Sequence, residues 1–201
     1  MEFRPWPKIP RLFASDMWVT EKIDGTNAAV VIEELDETTV NDTQEFVFIK
    51  YKPETDFGQW YAVSAQSRHR VITPEDDNYG FAAWVRDNAV SLVQDLGSGY
   101  HFGEWFGLGI QRGYGLQRKR FALFNSGWWF GACFKTLGLE VVPLLYRGRF
   151  SEEKIRVCLE GLRINGSEVS YGFARPEGVV VYHEKSRQSF KITLDVDGYK
   201  G

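Results

Sequence analysis

The sequence predicts an α+β fold built mainly from antiparallel sheets. Three observations carry that reading. Short β-branched or alternating runs fall in both halves of the chain, and only two segments show helical spacing. The regular strand–helix–strand alternation of a parallel sheet is missing. No linker, repeat or low-complexity tract divides the 201 residues, so one domain spanning 1–201 is expected.

In chain order, 28–35 and 45–51 are apolar or β-branched runs around the turn-rich stretch 36–42, and read as paired strands. Phe81, Trp84, Val85, Ala89, Leu92, Val93 and Leu96 recur at steps of three and four before Gly97. That spacing predicts one amphipathic helix with a glycine stop. Strands are expected over 100–106 and 121–125. Ser151 is placed to cap a helix whose first turn holds Glu152 and Glu153 and whose apolar face holds Ile155, Leu159 and Leu162. The run 179–183 and the alternating 189–194 close the chain as strands.

The chain has 24 Lys+Arg against 27 Asp+Glu, a net charge of −3, and 43% hydrophobic residues. That composition excludes a disordered chain. An acidic balance also argues against broad, nonspecific attraction to nucleic acid, while local basic groups can still meet phosphates. No window approaches 18 uninterrupted apolar residues, so no membrane partner is expected. Two cysteines with no Cys-x-x-Cys pair suggest a reduced, cytoplasmic setting. His69, His101 and His183 have no zinc-ligand spacing.

Candidate chemistry starts with Glu21-Lys22-Ile23-Asp24-Gly25-Thr26-Asn27, where a lysine and an acid share a tight turn. Lys-x-Asp-Gly alone arises by chance in about one chain in twenty of this size, and a charged turn explains it equally well. In the last strand, the period of two puts Phe190, Ile192 and Leu194 on one face and Lys191 on the other. Lys191 is then either solvated or aimed at a phosphate. Glu177, framed by Pro176 and Gly178, marks a turn into a strand, or a carboxylate for a metal or a ribose. Glu104 shares a strand face with Phe102 and Phe106. That face is either solvent-exposed or lines a site, because glutamate is almost never buried unpaired. Ser67-Arg68-His69-Arg70 and Arg118-Lys119-Arg120 are short basic groups of the kind usually solvated.

Taken in order, these pieces resemble the motif series of the covalent nucleotidyltransferases, the superfamily of polynucleotide ligases and mRNA capping enzymes. The series runs from Glu21-Lys22-Ile23-Asp24-Gly25-Thr26-Asn27 through Ser67-Arg68, Phe102-Gly103-Glu104 and Phe121-Ala122-Leu123-Phe124 to Glu177-Gly178-Val179-Val180 and Phe190-Lys191. Thr26-Asn27 and the longer match Phe102-Gly103-Glu104-Trp105-Phe106-Gly107-Leu108-Gly109-Ile110-Gln111 make it most similar to the phage-type double-strand RNA ligases. The resemblance implies an ATP-dependent RNA ligase with a ligase-type adenylyltransferase fold, joining 3′-OH and 5′-phosphate ends through a lysyl-AMP. It implies Lys22 as nucleophile, within a catalytic set of Lys22, Asp24 and Lys191, with Lys191 neutralising the α-phosphate. Glu21 would read the adenine edge, Phe124 would stack on it and Glu104 would bind the ribose. Asn27 and Arg68 would position phosphates and the RNA end. Glu177 would serve Mg2+, with Mn2+ as a substitute. The same residues would serve a minimal DNA nick ligase, or survive in an inactive nucleotide-binding or end-binding module.

The sequence departs from that family at three places. Asp24 stands where many phage RNA ligases have histidine. Thr193 stands where a second lysine usually follows Lys191, although Lys185 or Arg187 could substitute. Only ten residues follow Lys191, so no C-terminal accessory domain is expected. A partner protein would then supply the grip on RNA ends or a nicked duplex.

Overall fold

The structure is a computed structural model that describes residues 2–6, 8–9, 11–36, 47–51 (as backbone) and 58–194. Of the expected turn 36–42, all but Asp36 lies outside the described residues, as do Glu45 and Phe46. The fold is α+β with antiparallel sheets dominating, and the chain divides into two compact units. One is Met1–Ile23 with Pro143–Gly201, and the other is Asp24–Val142.

The first unit holds a four-stranded sheet in the order β11-β10-β1-β9, all neighbours antiparallel. Its strands are β1 (Asp16–Lys22), β9 (Leu144–Arg149), β10 (Gly178–His183) and β11 (Gln188–Thr193). Helix α3 (Glu152–Asn165) packs on β9 and β10. Ile155 and Leu162 of α3 meet Met17, Val19, Val179 and Val181 in a small core. The α3 cap is the expected one: the Ser151 hydroxyl accepts the Lys154 N–H at 3.3 Å.

Strand β1 is a correction to the sequence reading, since it was not among the expected strands. It puts Lys22 at a strand end, and the rest of the motif leads into the strand that starts at Thr26. The alternation of β1 is regular. Met17, Val19 and Glu21 are buried, and Trp18, Thr20 and Lys22 face the other way. A charged residue at an inward position breaks the apolar pattern that would mark the strand.

The second unit holds a larger sheet ordered β3-β4-β2-β6-β7-β8, with β5 paired to β4. Its strands are β2 (Thr26–Leu35), β3 (Val47–Tyr51), β4 (Gln59–Ser67), β5 (Val71–Ile72), β6 (Gly99–Gly107), β7 (Lys119–Leu123) and β8 (Leu139–Val141). Only the β7–β8 pairing is parallel among the described strands. The core joins Ala28, Val30, Ile32, Trp105, Phe121 and Leu123 from the sheet to Phe81, Val85, Leu92 and Leu96 from two helices.

Those helices are a second correction. One helix was expected over 81–96, and the chain forms α1 (Phe81–Asp87) and α2 (Ala89–Leu96), separated by Asn88 at φ −114° and ψ 11°. The Asn88 amide donates to the Trp84 carbonyl at 2.8 Å, a side-chain bond that competes with the helical ladder. Gly97, at φ 68°, ends α2 as expected.

Candidate active site

In the first unit, Lys22 is the last residue of β1. Its Nζ donates to Glu177 Oε2 at 2.6 Å, an ion pair with both side chains partly exposed. The sheet register puts Lys191 on the same face. Thr20, Val180 and Lys191 form one row, and Lys22, Gly178 and Thr193 form the next. Lys191 is exposed. Gly178, at φ 151°, has to be glycine, because a Cβ there would lie 2.1 Å from the Ile192 carbonyl oxygen. Thr193, the departure from the two-lysine pattern, therefore occupies the row of Lys22 itself.

Glu21 faces away from Lys22, into the interior, and is 1% exposed. Its Oε1 accepts the Ser167 hydroxyl at 2.6 Å, and its Oε2 accepts the N–H groups of Glu168 at 2.8 Å and Val169 at 3.2 Å. Burial pushes this carboxyl above the ordinary carboxylate range, against the pull of those donors. Glu21 thus clamps the 167–169 turn beside strand β1. Ser167 carries no sequence signal that would have singled it out.

In the second unit, three expected residues come together. Glu104 Oε1 accepts the Gly25 N–H at 3.1 Å and its Oε2 accepts Asn27 Nδ2 at 2.7 Å. Asn27 Oδ1 in turn accepts Arg68 Nε at 2.9 Å and a second bond from Arg68 Nη2. β-Pairing explains the cluster, since Asn27 lies directly opposite Glu104 and Arg68 follows the Ser67 that pairs with Ala28. Gly25 is required for the close approach, as a Cβ would meet the Trp105 carbonyl at 2.4 Å. Glu104 is 7% exposed, so its burial is balanced by these donors.

Asp24 gains partners that the sequence did not reveal. Its Oδ2 accepts Arg112 Nε at 2.9 Å, and its N–H donates to the Tyr114 hydroxyl at 2.7 Å. Both partners sit in the glycine-rich 107–115 stretch, and neither residue was singled out by the sequence. Phe124 is 43% exposed just past β7, and its N–H donates to the Phe102 carbonyl at 3.0 Å. The basic groups are partly spent on structure: Arg70 pairs with Asp76, Lys119 donates to the Tyr79 carbonyl and Arg120 pairs with Glu140. Among the described residues, no cluster of three or more His, Cys, Asp or Glu is placed to hold a metal ion, and no helix is long and apolar enough to cross a membrane.

Residues 15–193 match the RNA ligase family. The chain belongs to that family. Several solved structures share its fold. A lysine-to-alanine variant of a Naegleria gruberi RNA ligase with ATP and Mn aligns at 16% identity and a TM-score of 0.54, over 90% of this chain and 50% of that one. A lysine-to-methionine variant with AMP and Mn aligns at 16% identity and a TM-score of 0.50, with the same coverage. An arginine-to-alanine variant with ATP and Mn gives 15% identity and 0.50, over 91% and 51%. This RNA ligase family member spans about half the length of the solved structures it matches. No curated protein sequence matches it significantly.

Proposed function

We propose that this chain acts as one nucleotidyltransferase domain, an ATP-dependent RNA ligase that joins a 3′-OH to a 5′-phosphate through a lysyl-AMP. The observation that carries the proposal is a lysine at the motif position, at a strand end and 2.6 Å from the Glu177 carboxylate, within a chain of the RNA ligase family. The Naegleria gruberi RNA ligase structures with ATP and Mn support the choice of nucleotide and divalent metal.

In this reading Lys22 Nζ, after losing a proton, attacks the α-phosphorus of ATP. A P–N bond forms, the bond to the β-phosphate oxygen breaks, and pyrophosphate leaves. The RNA 5′-phosphate then attacks the lysyl-AMP phosphorus and releases Lys22. Last, the 3′-OH attacks the adenylylated 5′-phosphate and AMP departs. Glu177 orients Nζ through the ion pair. Lys191 neutralises charge developing on the α-phosphate. Glu104 binds the ribose and Phe124 stacks on adenine, while Asn27 and Arg68 position phosphates. Asp24 holds the turn after the nucleophile. Glu21 acts as a positioning residue, since its carboxylate is spent on the 167–169 turn.

A lone Glu177 carboxylate fits an ion held otherwise by phosphate oxygens and water, the habit of Mg2+, with Mn2+ as the alternative. Such an ion, when bound, supplies charge neutralisation to the phosphates. Intact mass after incubation with ATP and Mg2+ tests the proposal. One added adenylyl group is expected, absent in Lys22→Ala. ATP binding with no adduct would leave an inactive nucleotide-binding module. Equal sealing of matched DNA and RNA nicks would overturn the RNA assignment.

A further inference from the structure

On strand β6, Tyr100 is 58% and Phe102 56% exposed, although the strand lies inside the larger sheet. Their rings stack at a centroid distance of 6.1 Å and an interplanar angle of 18°. The period of two puts both on the face that carries Glu104, while Trp105 joins the core on the other face. Phe124 lies beside Phe102 across the β6–β7 pairing and is also exposed. Single exposed apolar side chains need no explanation, but three aromatic rings grouped on a rigid sheet face mark a binding surface.

The same face supplies a cation. Arg68 follows Ser67, the last residue of β4, and its guanidinium bonds Asn27, which pairs with Glu104 on that face, while Gln66, Ala29 and Phe102 form the adjacent row. Its guanidinium carries five N–H donors, two of which meet Asn27. Parallel rings beside an exposed arginine match a nucleotide within a strand, with the base stacked and its phosphate paired. Base stacking on a sheet's aromatic residues is a recurring way to hold unpaired RNA.

We propose that Tyr100 and Phe102 form a stacking platform for an unpaired base of the RNA strand, with Arg68 meeting its phosphate. This rests on the RNA ligase reading for its substrate class, and extends it by a subsite separate from the adenine stack on Phe124.

The test measures binding of a labelled single-stranded RNA oligomer by fluorescence anisotropy, beside an abasic oligomer of the same length and backbone. The wild-type protein should prefer the intact oligomer by about tenfold or more, the scale of one base stacked on an aromatic ring. A Tyr100→Ala/Phe102→Ala variant should bind both oligomers alike, and Phe102→Trp should keep the preference. Equal binding of the two oligomers by the wild-type protein overturns the platform without using any variant. So does a preference that persists in the double variant. Self-adenylylation of the wild-type protein is read separately. An adduct without base preference removes the platform alone, whereas base preference without an adduct removes the ligase reading and leaves the platform standing.

Discussion

Glu177 and Glu104 come from similar sequence contexts, each next to a glycine in or beside a strand, yet the two units use them differently. Glu177 stands just ahead of β10 and meets one partner, the amine of Lys22, with both side chains partly open to water. Glu104 lies inside β6, buried, and ties together the Gly25 backbone, Asn27 and through it Arg68. A partly open pair is more readily parted than a buried network, which suits the role proposed for Lys22, an amine that leaves its partner to attack phosphorus. A buried carboxylate bonded to backbone and side chain is a fixed part of the fold. In the proposed reaction, the contrast separates a carboxylate that orients the amine from one held rigid where the ribose would bind.

The largest effect is expected at Glu104. Replacing it with alanine strips acceptors from the Gly25 N–H and the Asn27 amide in a buried setting. Leaving such donors unpaired costs about 1–3 kcal/mol each. Urea unfolding of Glu104→Ala should show a loss of about 2–4 kcal/mol, together with loss of the adenylyl adduct. A loss below about 1 kcal/mol would mean that the network contributes little and that the contrast with Glu177 is wrong.

Glu177→Ala should behave in the opposite sense. A single partly exposed ion pair contributes about 1–2 kcal/mol, less than the buried network around Glu104, so the unfolding midpoint should move less. Adduct formation should slow by about a hundredfold, the scale for removing one preorganised electrostatic contact. Single-turnover adenylylation of the folded variant reads this directly. If Glu177→Ala destabilises as much as Glu104→Ala, the two carboxylates share one structural role.

The sequence made the two carboxylates legible and hid much of what surrounds them. Strands β2, β6, β10 and β11 sit within two residues of the expected runs, because each has an unbroken apolar or alternating pattern. The α3 cap was readable from Ser151 and the acidic first turn. Strand β1 was not, because Glu21 occupies an inward position normally held by an apolar residue. Its burial is made tolerable only by Ser167 and two backbone N–H groups about 146 residues away in the chain. Strand β4 was hidden for a different reason: Ala62, Ser64 and Ala65 are small residues with little strand signal. The break at Asn88, where the backbone leaves helical angles and the side chain bonds the Trp84 carbonyl, is a local feature that periodicity cannot express. Arg112 and Tyr114 reach Asp24 from a loop in which Gln111 and Tyr114 adopt φ values of 44° and 52°. Such a path is set by tertiary packing rather than by any repeat in the sequence.

That loop gives the smallest and most specific test of the comparison. If the second unit is preorganised, the turn after Lys22 should be held by more than Glu104. Tyr114 is 1% exposed, and its ring meets Phe106 edge-on at a centroid distance of 5.5 Å and 84°. Tyr114→Phe keeps that packing and removes only the hydroxyl that accepts the Asp24 N–H at 2.7 Å. A neutral hydrogen bond of this kind contributes about 0.5–1.5 kcal/mol, so urea unfolding should show a loss of about 1 kcal/mol. The effect on chemistry should be separable from that loss. Because Asp24 keeps its ion pair with Arg112, the turn should loosen rather than collapse. Adduct formation should then slow by a few-fold at saturating ATP, with little change in the ATP concentration needed for half-saturation. Combining Tyr114→Phe with Arg112→Ala should cost more than the two single losses added together, because both partners restrain the same residue. Strict additivity would show that the loop holds Asp24 through two independent contacts, and that the turn is not one preorganised piece.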